Sequence, residues 1–252
     1  MDGRSTTGAP KHRHNIPVFS IRDIRALLRL DGHERPPQMV EADFQFYHRR
    51  IGKGGAIYRQ GQPFESLYIV RLGFLKTVMR DVEGTERVLS FPMKGNMLGF
   101  DGVWKGRYGC EAVALTDCQL IVIPFNQLLA TDHACRELER LVYIAISREF
   151  SEEHAAINML NQLKAEARVA RFLEELARRY AALGYSSKVI SLPMTRRDIG
   201  CYLGLSLETV SRSLSMLAST GLIRVHRKNV TILEDGALRQ IRSPHNEMLT
   251  GC

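Results

Sequence analysis

Apolar residues recur in two rhythms along the 252-residue chain, and the rhythm changes near residue 125. Between Tyr47 and Pro124, short β-rich runs alternate with glycine: Ala56–Tyr58, Leu67–Val70, Phe74–Met79, Arg87–Phe91, Ala112–Leu115 and Cys118–Ile123. Gly54, Gly55, Gly61, Gly73, Gly84, Gly95 and Gly99 punctuate them. Many short strands at near-regular spacing predict an antiparallel barrel or jelly roll. Ahead of it, Ser20 to Leu30 predicts a short helix with Ile21, Ile24, Leu27 and Leu28 on one face. Residues 1–19 are polar and basic with scattered Gly and Pro, and predict a disordered tail.

From Asn126 onward the period becomes helical. Within Ala134–Leu160, the residues Tyr143, Ile146, Phe150 and Ile157 share one stripe, at the 3, 4 and 7 spacing of a coiled-coil seam. Leu138, Leu141, Val142 and Ala145 lie opposite. A helix apolar on two opposed faces must bury both. One face is expected on the chain's own β-domain and the other on a second copy; the alternative is a helix buried inside a monomer. A further helix, Ala165–Leu183, turns Val169, Phe172, Leu173 and Leu176 inward, and Gly184 sits where its C-cap belongs. A small α-rich unit with β-rich segments at Val189–Leu192 and Ile223–Ile232 completes the chain.

That unit carries the chemistry. In Pro193–Leu217, Thr195 and Asp198 form a variant capping box for a helix from Arg196 to about Leu203, with Ile199 and Leu203 inward. Gly204 supplies a tight turn, and Ser206 is an N-cap for a second helix from Leu207 to about Ala218. Two short helices joined by a glycine-bearing turn are a helix-turn-helix signature. On the second helix Glu208, Ser211, Arg212 and Ser215 share one stripe, and Leu207, Val210, Leu214 and Leu217 the other. The apolar stripe is expected to dock the helix and the polar one to enter a DNA major groove. There Arg212 can reach O6 and N7 of guanine, and Glu208 can accept from the N4 amino group of cytosine. Thr195, Arg196, Arg197, Ser206 and Thr209 sit where phosphates pass the helix ends. Leu222–Val225 and Val230–Leu233 predict a hairpin turned through Arg227, Lys228 and Asn229, a wing whose basic turn touches the backbone.

Charge adds weight to this picture. The chain carries a net charge of +8. From Arg178 to Lys228 there are nine Lys/Arg against two acids, Asp198 and Glu208, a local excess of +7. Such a patch is the footprint of a polyanion binder, or on charge alone an ordinary solvated surface. No apolar run reaches the roughly 20 residues of a membrane span, and the first twenty residues show no export signal, so the cytoplasm is the expected compartment. The five cysteines are Cys110, Cys118, Cys135, Cys201 and Cys252, with no close pair, which argues against a disulfide framework or a zinc site. Cys201 lies in the first helix of the DNA-reading pair, as a packed thiol or a redox-sensitive one. A cupin-type metalloenzyme would need clustered histidines and carboxylates, yet no histidine lies between His48 and His133. No nucleophile–base arrangement or phosphate-binding loop is visible, and no enzyme activity is expected.

From about Ile51 to Leu233 the sequence resembles the CRP/FNR family of bacterial regulators. The run Asp198–Leu214 is the most specific part. Its Glu208-x-x-Ser211-Arg212 pattern matches the FNR-type recognition helix, and Leu98-Gly99-Phe100-Asp101 also resembles the FNR/FixK-like branch. The resemblance implies an α+β fold: an N-terminal antiparallel β-roll (a cyclic-nucleotide-binding-like jelly roll), a long dimerisation helix and a C-terminal winged helix-turn-helix. It implies a homodimer on double-stranded DNA, an inverted repeat of TTGAT-type half-sites, and recruitment of RNA polymerase as an activator. Cyclic-AMP binders of the family carry a Gly-Glu pair and then an Arg-Ser pair; here Gly99 precedes Phe100, and the second position falls near Tyr108-Gly109. The oxygen-sensing branch holds an iron–sulfur cluster on clustered N-terminal cysteines, whereas this chain has none before Cys110. No cofactor and no metal are expected; gating by haem, nitric oxide or another small ligand in the β-roll is the alternative. The expected division is a tail over 1–19, the β-roll with flanking helices over 20–131, the dimerisation helix over 132–160 and the DNA-binding unit over 161–252.

Overall fold

Two four-stranded antiparallel sheets form the N-terminal roll. The computed structural model describes residues 19–29, 46–128, 133–162, 164–234 and 236–241. The tail expected over 1–19, apart from Phe19, lies outside the described residues, as do Leu30 and Cys252. The strands of the roll are β1 (Tyr47–Ile51), β2 (Ala56–Tyr58), β3 (Ser66–Leu72), β4 (Leu75–Arg80), β5 (Glu86–Ser90), β6 (Met97–Leu98), β7 (Glu111–Ala114) and β8 (Cys118–Pro124). Their orders are β1-β8-β3-β6 and β2-β7-β4-β5. The six strands read from the sequence are present, and β1 and β6 are additional. Both are edge strands. β1 reads Tyr-His-Arg-Arg-Ile and buries none of its residues fully, so it lacks an apolar run; β6 is two residues long.

Between the sheets lies a core of Tyr58, Tyr68, Val70, Leu75, Leu98, Tyr108 and Leu120. Tyr58 stacks on Tyr108 at 4.0 Å between ring centroids. The Tyr108 hydroxyl donates to the Ser66 carbonyl at 2.8 Å, which satisfies a buried phenol. Alternate residues of β3 and β8, Leu67, Ile69, Ile121 and Ile123, point outward. They pack on α1 (Ile21–Leu28) and on the long helix α3 (His133–Gln162), which follows the short α2 (Phe125–Leu128). Burial on both faces is why Leu67–Val70 of β3 form an unbroken apolar run. Leu138, Leu141, Val142 and Ala145 of α3 are buried in this layer. Arg25 of α1 pairs with Glu137 of α3. Arg148 donates to the carbonyls of Leu28 at 2.8 Å and Gly95 at 2.6 Å, tying α3 to the end of α1 and to the roll.

The C-terminal unit comprises α4 (Ala165–Ala182), β9 (Val189–Ser191), α5 (Arg196–Leu203), α6 (Leu207–Ser219), β10 (Ile223–His226) and β11 (Asn229–Ile232). Its sheet has the order β10-β11-β9. Val169, Phe172, Leu173, Leu176, Ile199, Leu203, Val210, Leu214 and Leu217 form its core, which continues into Val78, Val88, Phe91 and Met93 of the roll. The joint also has a polar part. Lys76 of β4 donates to Asp198 of α5 at 2.7 Å and to Glu86 at 2.8 Å. Burial alone would raise the Asp198 carboxyl, but hydrogen bonds from Lys76 and Thr195 outweigh it and hold the pKa below the usual aspartate value. Burial alone would likewise lower the Lys76 pKa, and its bonds to Asp198 and Glu86 reverse that into a rise.

These shifts fix a pH window. A depressed carboxyl pKa stabilises the fold above its unfolded value, and that contribution is lost as pH falls through the folded value; a raised lysine pKa contributes below its unfolded value and loses it as pH rises through the folded one. Lys76→Met should therefore cost roughly 1–3 kcal/mol at neutral pH. In urea denaturation the gap from wild type should narrow as pH falls below the ordinary aspartate value of about 4; a gap that stays constant would assign the loss to packing. A second expectation concerns Ser213, whose hydroxyl is buried in α6 with no hydrogen-bond partner. Ser213→Ala should leave thermal stability unchanged or raise it by up to about 1 kcal/mol, whereas a clear loss would mean the hydroxyl is satisfied.

Candidate nucleic-acid interface

The helix pair is built by its caps. Thr195 Oγ1 accepts from the Asp198 backbone N–H at 3.1 Å, and Asp198 Oδ2 accepts from the Thr195 backbone N–H at 2.9 Å, completing the expected box. Gly204 ends α5 at φ 64°, a left-handed conformation that suits glycine. Gly200 has a second role that its place inside a helix hid. A Cβ there would come within 2.5 Å of the Leu205 carbonyl oxygen, so the turn closes onto α5 only because residue 200 has no side chain. Ser206 Oγ accepts from the Thr209 backbone N–H at 3.1 Å and starts α6.

On α6, Val210, Ser213, Leu214 and Leu217 are buried, while Glu208, Arg212 and Ser215 are exposed. Leu207, expected on the docking stripe, is 46% exposed at the first helical position. Ser211 is half-buried and accepts from Arg196 Nη1 at 3.1 Å, so these two expected contact residues are joined across the pair. Arg212 Nη2 lies 3.5 Å from Thr209 Oγ1. The N–H of its own residue at the helix start, and then the Ser206 side chain, lower the Glu208 pKa. Arg197, Arg224, Arg227 and Lys228 are exposed on the same unit. The wing turn is tighter than expected: Asn229 belongs to β11, and Arg227 takes the left-handed conformation at φ 55° between the strands. Leu192 donates to the Lys228 carbonyl at 2.7 Å, anchoring this turn to the strand before α5. Cys201 is half-buried against the C-terminal core.

On α3, Tyr143, Phe150 and Ile157 are 69%, 49% and 51% exposed. Ile146 of the same stripe is half-buried against the layer between roll and helices. The chain thus leaves an apolar stripe uncovered opposite the face it buries. A cavity of about 790 Å³ lies where roll, α3 and α4 meet, with Tyr58, Asp101, Cys110, Glu149, Glu152 and Glu153 among its lining. Among the described residues, no three His, Cys, Asp or Glu side chains gather as a metal site, and no helix is long and apolar enough to cross a membrane.

Comparison with known proteins matches residues 48–132 to the cyclic nucleotide-binding domain and residues 167–241 to the Crp-like helix-turn-helix domain. Carboxylates of Asp101, Glu149, Glu152 and Glu153 and guanidinium groups of Arg148, Arg171, Arg178, Arg179 and Arg239 line the cavity together, and Asp101 Oδ2 already accepts from the backbone N–H groups of Gly109 and Cys110. The chain is 35% identical over 192 residues to the transcriptional regulatory protein btr of Bordetella pertussis, covering 76% of this chain and 79% of that protein. It is 34% identical over 191 residues to the fumarate and nitrate reduction regulatory protein of Escherichia coli, covering 76% of each. The solved structure of FixK2 from Bradyrhizobium japonicum superposes with a TM-score of 0.69 at 26% identity, covering 79% of this chain and 98% of that one. These relatives are transcription regulators rather than enzymes, and the roll, the helices and the Crp-type reading head occur here in the same order. The chain belongs to the CRP/FNR family of DNA-binding transcription regulators.

Proposed function

We propose that this regulator is a cytoplasmic homodimeric activator that reads an FNR/FixK-like inverted repeat of TTGAT-type half-sites and needs neither cyclic AMP nor an iron–sulfur cluster. The observation that carries the proposal is the exposed Glu208–Arg212 stripe at the start of α6, flanked by exposed cations on α5 and the wing. Arg212, Glu208 and Ser211 read base edges, and Ser211 also holds the Arg196 side chain beside them. Thr195, Arg196, Arg197, Ser206, Thr209 and Lys228 face the phosphates, and RNA polymerase is the partner in activation. The domain limits at 1–19, 20–131, 132–160 and 161–252 belong to the same proposal.

A homodimer is supported by the stripe of Tyr143, Phe150 and Ile157, which is too apolar to leave wet on a soluble helix. Two copies joined there would present two reading heads, which must lie about 34 Å apart to meet successive major grooves. The cavity of about 790 Å³ favours a second reading, a ligand-gated version of the same regulator. Fluorescence anisotropy in air, without added ligand, on a TTGAT-N4-ATCAA duplex and a scrambled control separates the two. Tight selective binding supports the first; binding only with an added ligand supports the second.

Arg212→Ala should erase most of the preference for the cognate duplex, about 1–3 kcal/mol per half-site. Lys228→Ala should instead weaken both duplexes alike and lower the slope of log affinity against log salt by about 1 per protomer. If Arg212→Ala kept full preference, base reading would have to move to another residue. Tyr143→Glu and Ile157→Glu should shift the mass seen by sedimentation from dimer to monomer and weaken DNA binding at least tenfold, about 1.4 kcal/mol. Dimers of unchanged stability would remove this stripe as the interface.

A further inference from the structure

The roll carries an anion of its own at the wall of the cavity. Asp101 sits in the short 3₁₀ turn Phe100–Gly102, which follows β6 through Gly99 at φ 88°. Its Oδ2 accepts from the Gly109 N–H at 2.8 Å and from the Cys110 N–H at 3.0 Å. Two consecutive amides converging on one oxygen form the kind of concavity with which a backbone holds an anion. Asp101 and Cys110 both line the cavity, so this seat lies at its edge.

Gly109 is matched to the occupant. Its φ is not positive, so the backbone does not demand glycine there. A Cβ at position 109 would lie 3.0 Å from Asp101 Oδ2. The missing side chain makes room for the carboxylate, and seat and occupant belong together. The facing wall, from α3, adds Glu149, Glu152 and Glu153. Burial raises the Glu153 pKa, and the Asp101 charge raises it further, so these carboxylates feel one another.

We propose that Asp101 is a tethered anion that fills an oxyanion seat made by the Gly109 and Cys110 amides, in the place of a phosphate-type ligand. The proposal rests on the reading that this regulator works without a cyclic nucleotide, and it supplies the reason. A carboxylate a few residues from its seat competes at an effective concentration in the millimolar range or above. A roll closed in this way is filled as soon as it folds.

The test is thermal unfolding of the full chain, wild type and Asp101→Ala, with sodium phosphate, with cyclic AMP, and with sodium chloride at matched ionic strength. Asp101→Ala should lose stability in chloride and regain about 3–5 °C in about 20 mM phosphate, cyclic AMP or both, while wild type stays level. The phosphate and cyclic AMP arms tell whether the vacated seat takes a free phosphate or a phosphodiester. Equal responses of the variant to phosphate, cyclic AMP and chloride would overturn the tethered-anion proposal and leave the ligand-free reading standing. A rise of the wild-type midpoint with cyclic AMP alone would overturn the ligand-free reading, and the proposal with it. Asp101→Ser, whose hydroxyl can still pair one amide, carries the same outcomes where the alanine variant does not fold.

Discussion

One buried amide holds the three parts of this molecule together. Asn96, 7% exposed, stands where the roll, α3 and α4 meet. Its Oδ1 accepts from the Met93 backbone N–H at 3.0 Å and from Arg179 of α4 at 2.6 Å. Its Nδ2 donates to the two oxygens of Glu149 on α3 at 3.0 and 3.1 Å. The donors are thus used toward α3 and the acceptor toward the roll and α4. Displacing any one element leaves a buried polar group unpaired, at a cost of about 1–3 kcal/mol. Burial raises the pKa of Glu149, and the Asn96 amide, Arg148 and the Met97 N–H partly offset that rise. With Arg148 bridging to Gly95 and Leu28, the rotation of α3 about its own axis is fixed.

That fixed rotation gives the two exposed stripes their meaning. A seam on α3 could pair two copies in any orientation if the helix rolled freely on its domain. Held by Asn96 and Arg148, the proposed seam would pair them in one. On the other side, the Phe91–Tyr202–Phe172 ring cluster and the Lys76–Asp198 pair seat α5 on the roll. The polar stripe of α6 then has a set bearing relative to the seam on α3. The apolar part of this joint gives most of its free energy and the ion pair gives its direction, as expected when a half-buried charge pair roughly balances its desolvation.

What could be read from sequence was what is local. The helix pair was legible because Thr195, Asp198, Gly204 and Ser206 act within a few residues of themselves, and the structure keeps the expected bounds of α5. The buried face of α3 followed from its period alone. The edge strands β1 and β6 were not legible, because edge residues need not be apolar and a two-residue strand has no period. Asn96, Glu149 and Arg179 gave no signal, since their partners lie 53 and 83 residues apart along the chain. Lys76 and Asp198 are 122 apart. Asp101 lies in a short turn after Gly99; that its carboxylate also takes the amides of Gly109 and Cys110 depends on a loop closing back, which no local pattern encodes.

A tethered anion in the roll changes where control of such a regulator can reside. A ligand shifts a conformational equilibrium only by its difference in affinity between the two states. If Asp101 fills the seat in every folded molecule, a soluble anion has no such difference left to exploit there. On the proposed dimer, the remaining variable would be pairing of chains on the α3 stripe, because one reading head would engage one half-site while a second head tethered beside it would bind at high effective concentration. Occupancy of an inverted repeat then rises steeply with the amount of protein. On the proposed reading, an occupied anion seat and an apolar, open seam belong to the same design: the domain that in other members of the fold would take a ligand would serve here as a rigid support, and the quantity sensed would be the concentration of the chain itself.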